Sequence, residues 1–141
     1  MIRAKIYLPK YDWVIFAYIA VHEYYTYEIL NMMRSIGADN YVLSRAYKNL
    51  TSGELNNGLT FTNTEIGVTV WVTEITSSAA EFFNSIVHEI RHLQQHIADA
   101  YGIEPDGEEV CYMCGEIALR LFPYCRRLLC DGWRRKEKST H

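Results

Sequence analysis

Residues 78–102 read SAAEFFNSIVHEIRHLQQHIADAYG, and the fold turns on whether they form one helix. Ser78 followed at the third position by Glu81 is a capping-box start signal, and Tyr101-Gly102 is a stop. Between them Phe82, Phe83, Ile86, Ile90, Leu93 and Ile97 recur at helical spacing, so one side of the helix must pack. With His88 set at zero, His92 falls at about 40°, His96 at about 80° and Glu89 at about 100°, whereas Ile86, Ile90, Leu93 and Ile97 lie at about 140–200°. The three histidines and the glutamate are therefore expected on a polar surface turned away from the apolar stripe.

Working outward, RAKIYLP and DWVIFAYIAV read as two strands joined at Pro9 and Lys10. Tyr24, Tyr27, Ile29, Leu30 and Met33 favour a helix over residues 23–35, closed by Gly37, and NYVLSRAYKNL a second short one. Asn56, Asn57 and Gly58 form a turn before LTFTNTEIGVTVWVT, which reads as a hairpin around Asn63 and Thr64. Its alternation requires one apolar face and one more polar face. Beyond the histidine helix, Asp106 and Glu109 form a second capping signal for a buried helix from Glu108 to about Leu121, which Pro123 interrupts or bends. A short helix over residues 126–129 follows, then a loose basic end. The elements make an α+β fold: a small, mostly antiparallel sheet packed against the histidine helix and its successor.

The chain has 141 residues, of which 49% are hydrophobic, enough for one domain with a real core. We expect that domain over residues 1–133 and a basic, flexible tail over 134–141. With 14 basic against 17 acidic residues the formal charge is −3, which gives no reason to expect nucleic acid. No stretch reaches membrane-spanning length and no secretory signal opens the chain, so a soluble, cytoplasmic protein without classical export is expected. Cys111, Cys114, Cys125 and Cys130 could in principle make a four-thiolate zinc site. CYMCGEIALRLF reads as helix throughout, however, without the tight turn a zinc knuckle needs, which favours buried thiols.

His88 and His92, one helical turn apart, can grasp one zinc ion, and Glu89 beside them can hold a water as a general base. His96 suits a solvated or supporting position better than a ligand's. A catalytic zinc commonly takes three protein ligands and keeps one position open. Glu109 is the leading candidate for the third, although the same carboxylate could instead complete the cap begun by Asp106. Glu108 and Glu116 are the alternatives, and Glu116 can equally pair with Arg120 four residues on.

The segment VHEIRH followed by GEEVCYMCGEI resembles the zincin metallopeptidases, specifically their glutamate-ligand branch. The short connection and the glutamate opening a buried helix look like those of minimal zinc peptidases, including the domain associated with phage-repressor cleavage and stress regulators, and of compact zincin-like proteins of bacterial viruses. The likeness covers residues 81–121. It implies a zincin-like fold, His88, His92 and Glu109 as zinc ligands, and Glu89 as catalytic base. The chain lacks the third histidine of the metzincins and the aspartate that follows the ligand glutamate in the larger thermolysin-like pattern.

On this resemblance the expected function is zinc-dependent endopeptidase, with a peptide or protein substrate laid along the hairpin edge at residues 60–73. Tyr112 or Tyr101 could add an oxyanion contact. The rival expectation is a noncatalytic structural or interaction protein stabilised by zinc, such as a phage component.

Overall fold

The computed structural model describes residues 1–52 and 58–130. The expected turn residues Asn56 and Asn57, the domain boundary at residue 133 and the basic tail lie outside the described residues. The fold class is α+β, with four strands and four α-helices.

The N-terminal hairpin sets the frame. β1 (Ile2–Leu8) and β2 (Trp13–Val21) pair antiparallel from Ile2 opposite Ile19 to Leu8 opposite Trp13. The link is a single 3-10 turn over Pro9–Tyr11, closed by Asp12 in the left-handed region at φ 48°. Proline supplies the fixed φ that starts such a turn, and aspartate is among the few residues that tolerate its exit.

After β2 the chain crosses one face of the sheet as α1 (Thr26–Ser35) and α2 (Asn40–Thr51). Asp39 caps α2 by accepting from the Val42 amide at 2.9 Å. The chain returns as the hairpin β3 (Leu59–Asn63) and β4 (Val68–Glu74), which turns through Gly67 at φ 65°. β4 slots in beside β2, parallel to it, so the order is β1-β2-β4-β3. One parallel pair thus joins two antiparallel ones.

α3 (Ala79–Tyr101) begins where expected, with the Ser78 hydroxyl accepting from the Glu81 amide at 3.1 Å, and ends on Gly102 at φ 64°. α4 (Glu108–Cys125) begins at the expected residue but departs from the reading in its cap and at its C-terminal end. Its N-cap is Gly107, with no side-chain hydrogen bond, so Asp106 does not cap it. The helix continues past Pro123, which costs one amide hydrogen bond but does not interrupt it, and a 3-10 turn over Arg126–Leu129 follows directly.

The sheet is covered on both faces. Ile15, Ala17, Ile19 and Trp71 pack with Phe82, Ile86, Ile90, Leu93 and Ile97 of α3 and with Val110, Met113, Ile117 and Leu121 of α4. On the opposite face Tyr18, Val21, Val70 and Val72 meet Ile29, Leu30 and Met33 of α1 and Leu43, Ala46 and Leu50 of α2. β4 is therefore buried on both faces, against the expectation that its ribbon shows a polar side; even Thr69 and Thr73 are fully buried. Only β3 keeps the alternation, with Leu59 and Phe61 against the α1–α2 core and Thr60 and Thr62 bonded to α3. Among the described residues no helix is long and apolar enough to cross a membrane.

Candidate metal centre

α3 lies across β4 and β3, fixed by a hydrogen bond from the buried Trp71 indole N–H to the Glu89 carbonyl at 2.9 Å. That anchor sets which side chains of the HEIRH turn reach solvent. His88 and His92 are exposed, and their Nε2 atoms stand 3.1 Å apart. Zinc–imidazole bonds of about 2.0–2.1 Å in tetrahedral geometry require the two nitrogens to be about 3.3–3.4 Å apart. With Glu89 the pair could hold a metal ion, and at 3.1 Å with no ion between them one ring must donate its proton to the other.

Glu89 departs from the expected placement. It is turned under the helix, 2% exposed, rather than lying on the open polar face. A buried carboxylate needs donors, and β3 with the residue just before it supplies two: the Gly58 amide donates to Oε1 at 3.1 Å and the Thr60 hydroxyl to Oε2 at 3.0 Å. Oε1 remains 3.9 Å from Nε2 of His88. His88, Glu89 and His92 are the one group of three potential metal-binding side chains among the described residues, with ligand atoms all within 4.8 Å of one another.

Glu109 is not brought to this group. The first turn of α4 faces the link between β1 and β2, where the Glu109 carboxylate meets the Lys10 ammonium at 3.3 Å and the Tyr11 hydroxyl at 3.4 Å. Glu116 takes the alternative foreseen for it, pairing with Arg120 at 2.5 Å. Neither tyrosine considered as an oxyanion donor is hydrogen-bonded to His88, Glu89 or His92 among the described residues. Tyr101 donates to the Tyr11 carbonyl and packs on Trp13, and Tyr112 lines a cleft of about 420 Å³ with Leu8, Lys10 and Glu116. None of the four cysteines joins a metal-binding group among the described residues; Cys125 is buried as expected, whereas Cys111 and Cys130 are exposed. Burial pushes the Cys125 thiol up to about 12.

Several residues at the site carried no motif. Gly58 is required sterically: a Cβ there would lie 1.7 Å from the Val72 carbonyl oxygen and 3.1 Å from Cγ of Glu89. Thr60 and Thr62 form the polar half of the β3 alternation, a signal present in the sequence. The Thr62 hydroxyl contacts Nδ1 of His96 at 2.8 Å and the Thr69 hydroxyl at 2.8 Å, and Thr69 in turn accepts from the Trp13 indole at 2.9 Å. Burial, then the neighbouring His92, holds His96 below its ordinary pKa, so the ring is neutral near pH 7.

Glu74 ends β4 at a polar cleft of about 350 Å³ shared with Ser77, Glu81, Asn84 and Ser85. Its Oε1 is buried and has no hydrogen-bond partner among the described residues. Burial, with the Glu89 charge adding to it, pushes the Glu74 carboxyl up to about 7.

Compared with protein-family models, curated proteins and solved structures, the chain finds no match in any of the three.

Proposed function

We propose that this chain is a zinc-dependent endopeptidase in which His88 and His92 hold the metal and Glu89 is the general base. The observation that carries the reading is the pair of imidazole nitrogens 3.1 Å apart, with a buried carboxylate oxygen 3.9 Å from one of them. Bound zinc would supply a Lewis acid and make a coordinated water more acidic.

The chain's own part in the reaction falls to Glu89. Two donors fix its carboxylate, so Oε1 can receive a proton from water without rearrangement and return it to the departing amine nitrogen. The Gly58 amide restrains the same oxygen, which keeps the acceptor at one position. β3 is the terminal strand of the sheet next to α3, so an extended peptide adding to it by main-chain hydrogen bonds would run past His88 and His92. The third ligand proposed from the sequence, Glu109, can serve only after leaving Lys10 and Tyr11. The cytoplasm or a virion is the compartment that goes with this reading.

A second reading, a noncatalytic protein stabilised by zinc, is favoured by one specific observation: Glu89 is 2% exposed and both its oxygens already have donors. Metal content and hydrolysis of a peptide library, measured together, separate the two. On the endopeptidase reading the zinc-loaded chain cleaves peptides and Glu89→Gln does not, although it keeps its zinc. Zinc-dependent stabilisation with no cleavage by the unaltered chain would establish the second reading instead.

A further inference from the structure

We propose that His96 is a hydrogen-bond donor to the acceptor oxygen of a peptide held at the His88–His92 site, and not a metal ligand, because a relay from Trp13 through Thr69 and Thr62 fixes the proton on its Nε2. This deepens the endopeptidase reading and rests on it for the identity of the ligand.

The relay has a direction set by its buried end. An indole N–H can only donate, so Thr69 accepts from Trp13. Thr69 is fully buried, and among the described residues the Thr62 oxygen, 2.8 Å away, is the acceptor for its hydroxyl proton. Thr62 then has its single proton to give, and Nδ1 of His96 stands 2.8 Å from it. With Nδ1 accepting, the neutral ring carries its proton on Nε2. Reversing the Thr69–Thr62 bond would leave the buried Thr69 proton without a partner among the described residues, and the sense of the Thr62–His96 bond is what the ring tautomer reports.

The consequence is chemical. A metal needs a bare ring nitrogen, and this ring offers none: Nδ1 is engaged and Nε2 is protonated. Nε2 has no hydrogen-bond partner among the described residues, and His96 lies one helical turn beyond His92, about 40° around the same face. A neutral N–H at that place matches a carbonyl oxygen, the acceptor that every peptide bond presents.

The test uses the full chain with ¹⁵N-labelled histidine and long-range proton–nitrogen NMR near pH 7.5. Before metal is added, His96 should show an unprotonated Nδ1 and a protonated Nε2. Thr62→Val should mix the two tautomers and Thr62→Ser should restore the single one. Adding zinc should shift both nitrogens' signals of His88 and His92 and leave the His96 Nε2–H in place. Acetohydroxamate, whose carbonyl oxygen stands in for that of a peptide, should then move the His96 Nε2–H signal downfield in the zinc-loaded chain and not in His92→Ala. A proton on Nδ1 in the unaltered chain, loss of the His96 Nε2–H on adding zinc, or no response of that signal while His88 and His92 respond to the hydroxamate would each overturn the proposal. Failure of the metal reading has a different signature: zinc leaves His88 and His92 unmoved, whatever tautomer His96 shows.

Discussion

At the scale of single residues, Glu89 is where structure and chemistry meet. Glu89→Gln should leave the imidazoles free to bind metal and lower peptide hydrolysis by about 10²-fold or more, the usual contribution of a positioned general base. His92→Ala should instead weaken zinc binding by more than the roughly 10–100-fold that loss of an outer hydrogen-bond partner costs. Atomic absorption after dialysis, run beside a fluorogenic peptide assay, would check both; equal zinc content in the two variants would refute the division of labour. Glu74 gives a separate prediction. Its folded pKa of about 7 lies above the ordinary 4.5, so the folded state binds more protons between those values than the unfolded state does. The stabilisation it contributes is complete below about 4.5 and is lost as pH rises through about 7. Glu74→Gln should therefore flatten the fall in stability across that window, measured by urea unfolding from pH 4.5 to 8; an unchanged slope would show that another group causes it.

At the scale of elements, β3 holds the site in place although it is only five residues long. Gly58→Ala puts a methyl group into the Val72 carbonyl, so the start of β3 must move away and Glu89 loses both donors. A loss of about 1–3 kcal/mol is expected, with faster amide exchange along residues 59–63 than along β1. Normal protection of β3 in that variant would contradict the packing described. The helix ends differ in a way the capping rules did not separate. Ser78→Ala should cost about 1 kcal/mol because its hydroxyl accepts a helix amide. Asp106→Ala should cost close to nothing, since Gly107 occupies the cap of α4. The sequence made Ser78 legible because the serine, the glutamate and the apolar run all agree. It misled at Asp106 because a carboxylate three residues before a glutamate looks the same whether or not its oxygen reaches a helix amide. Of the two outcomes read for Pro123, interruption does not occur: a proline marks a lost hydrogen bond, and the packing of Leu121, Cys125 and Leu128 into the core outweighs it.

At the scale of the whole molecule, the α+β class and the element order were readable because apolar periodicities switch cleanly between two and 3.6 residues along the chain. Layering was not. Nothing in VTVWVT distinguishes a strand with one wet face from one with a helix on each side, and the difference depends on where α1 and α2 return. The site was legible to the same extent. His88 and His92 follow from local spacing within one helix, whereas the Glu89 clasp needs residues 29 and 31 positions away, and Glu109 is drawn to Lys10, 99 positions away in the chain and invisible to any motif. Zinc that binds the folded chain alone should stabilise it by about 2.7 kcal/mol at a hundredfold excess over Kd. Calorimetric scans with and without zinc should show that gain, and show it abolished in His88→Ala.

The parallel seating of β4 against β2 carries a temporal consequence. Forty-six residues separate the two paired strands, Val21 from Val68, so α1, α2 and β3 must be threaded before the sheet can close; such distant pairing is slow. The two imidazoles belong to one helical turn and can assemble early. The restrained carboxylate exists only once β3 is seated beside β4, so the clasp on Glu89 is a late product of folding, whereas the spacing of His88 and His92 is set as soon as one turn of α3 winds.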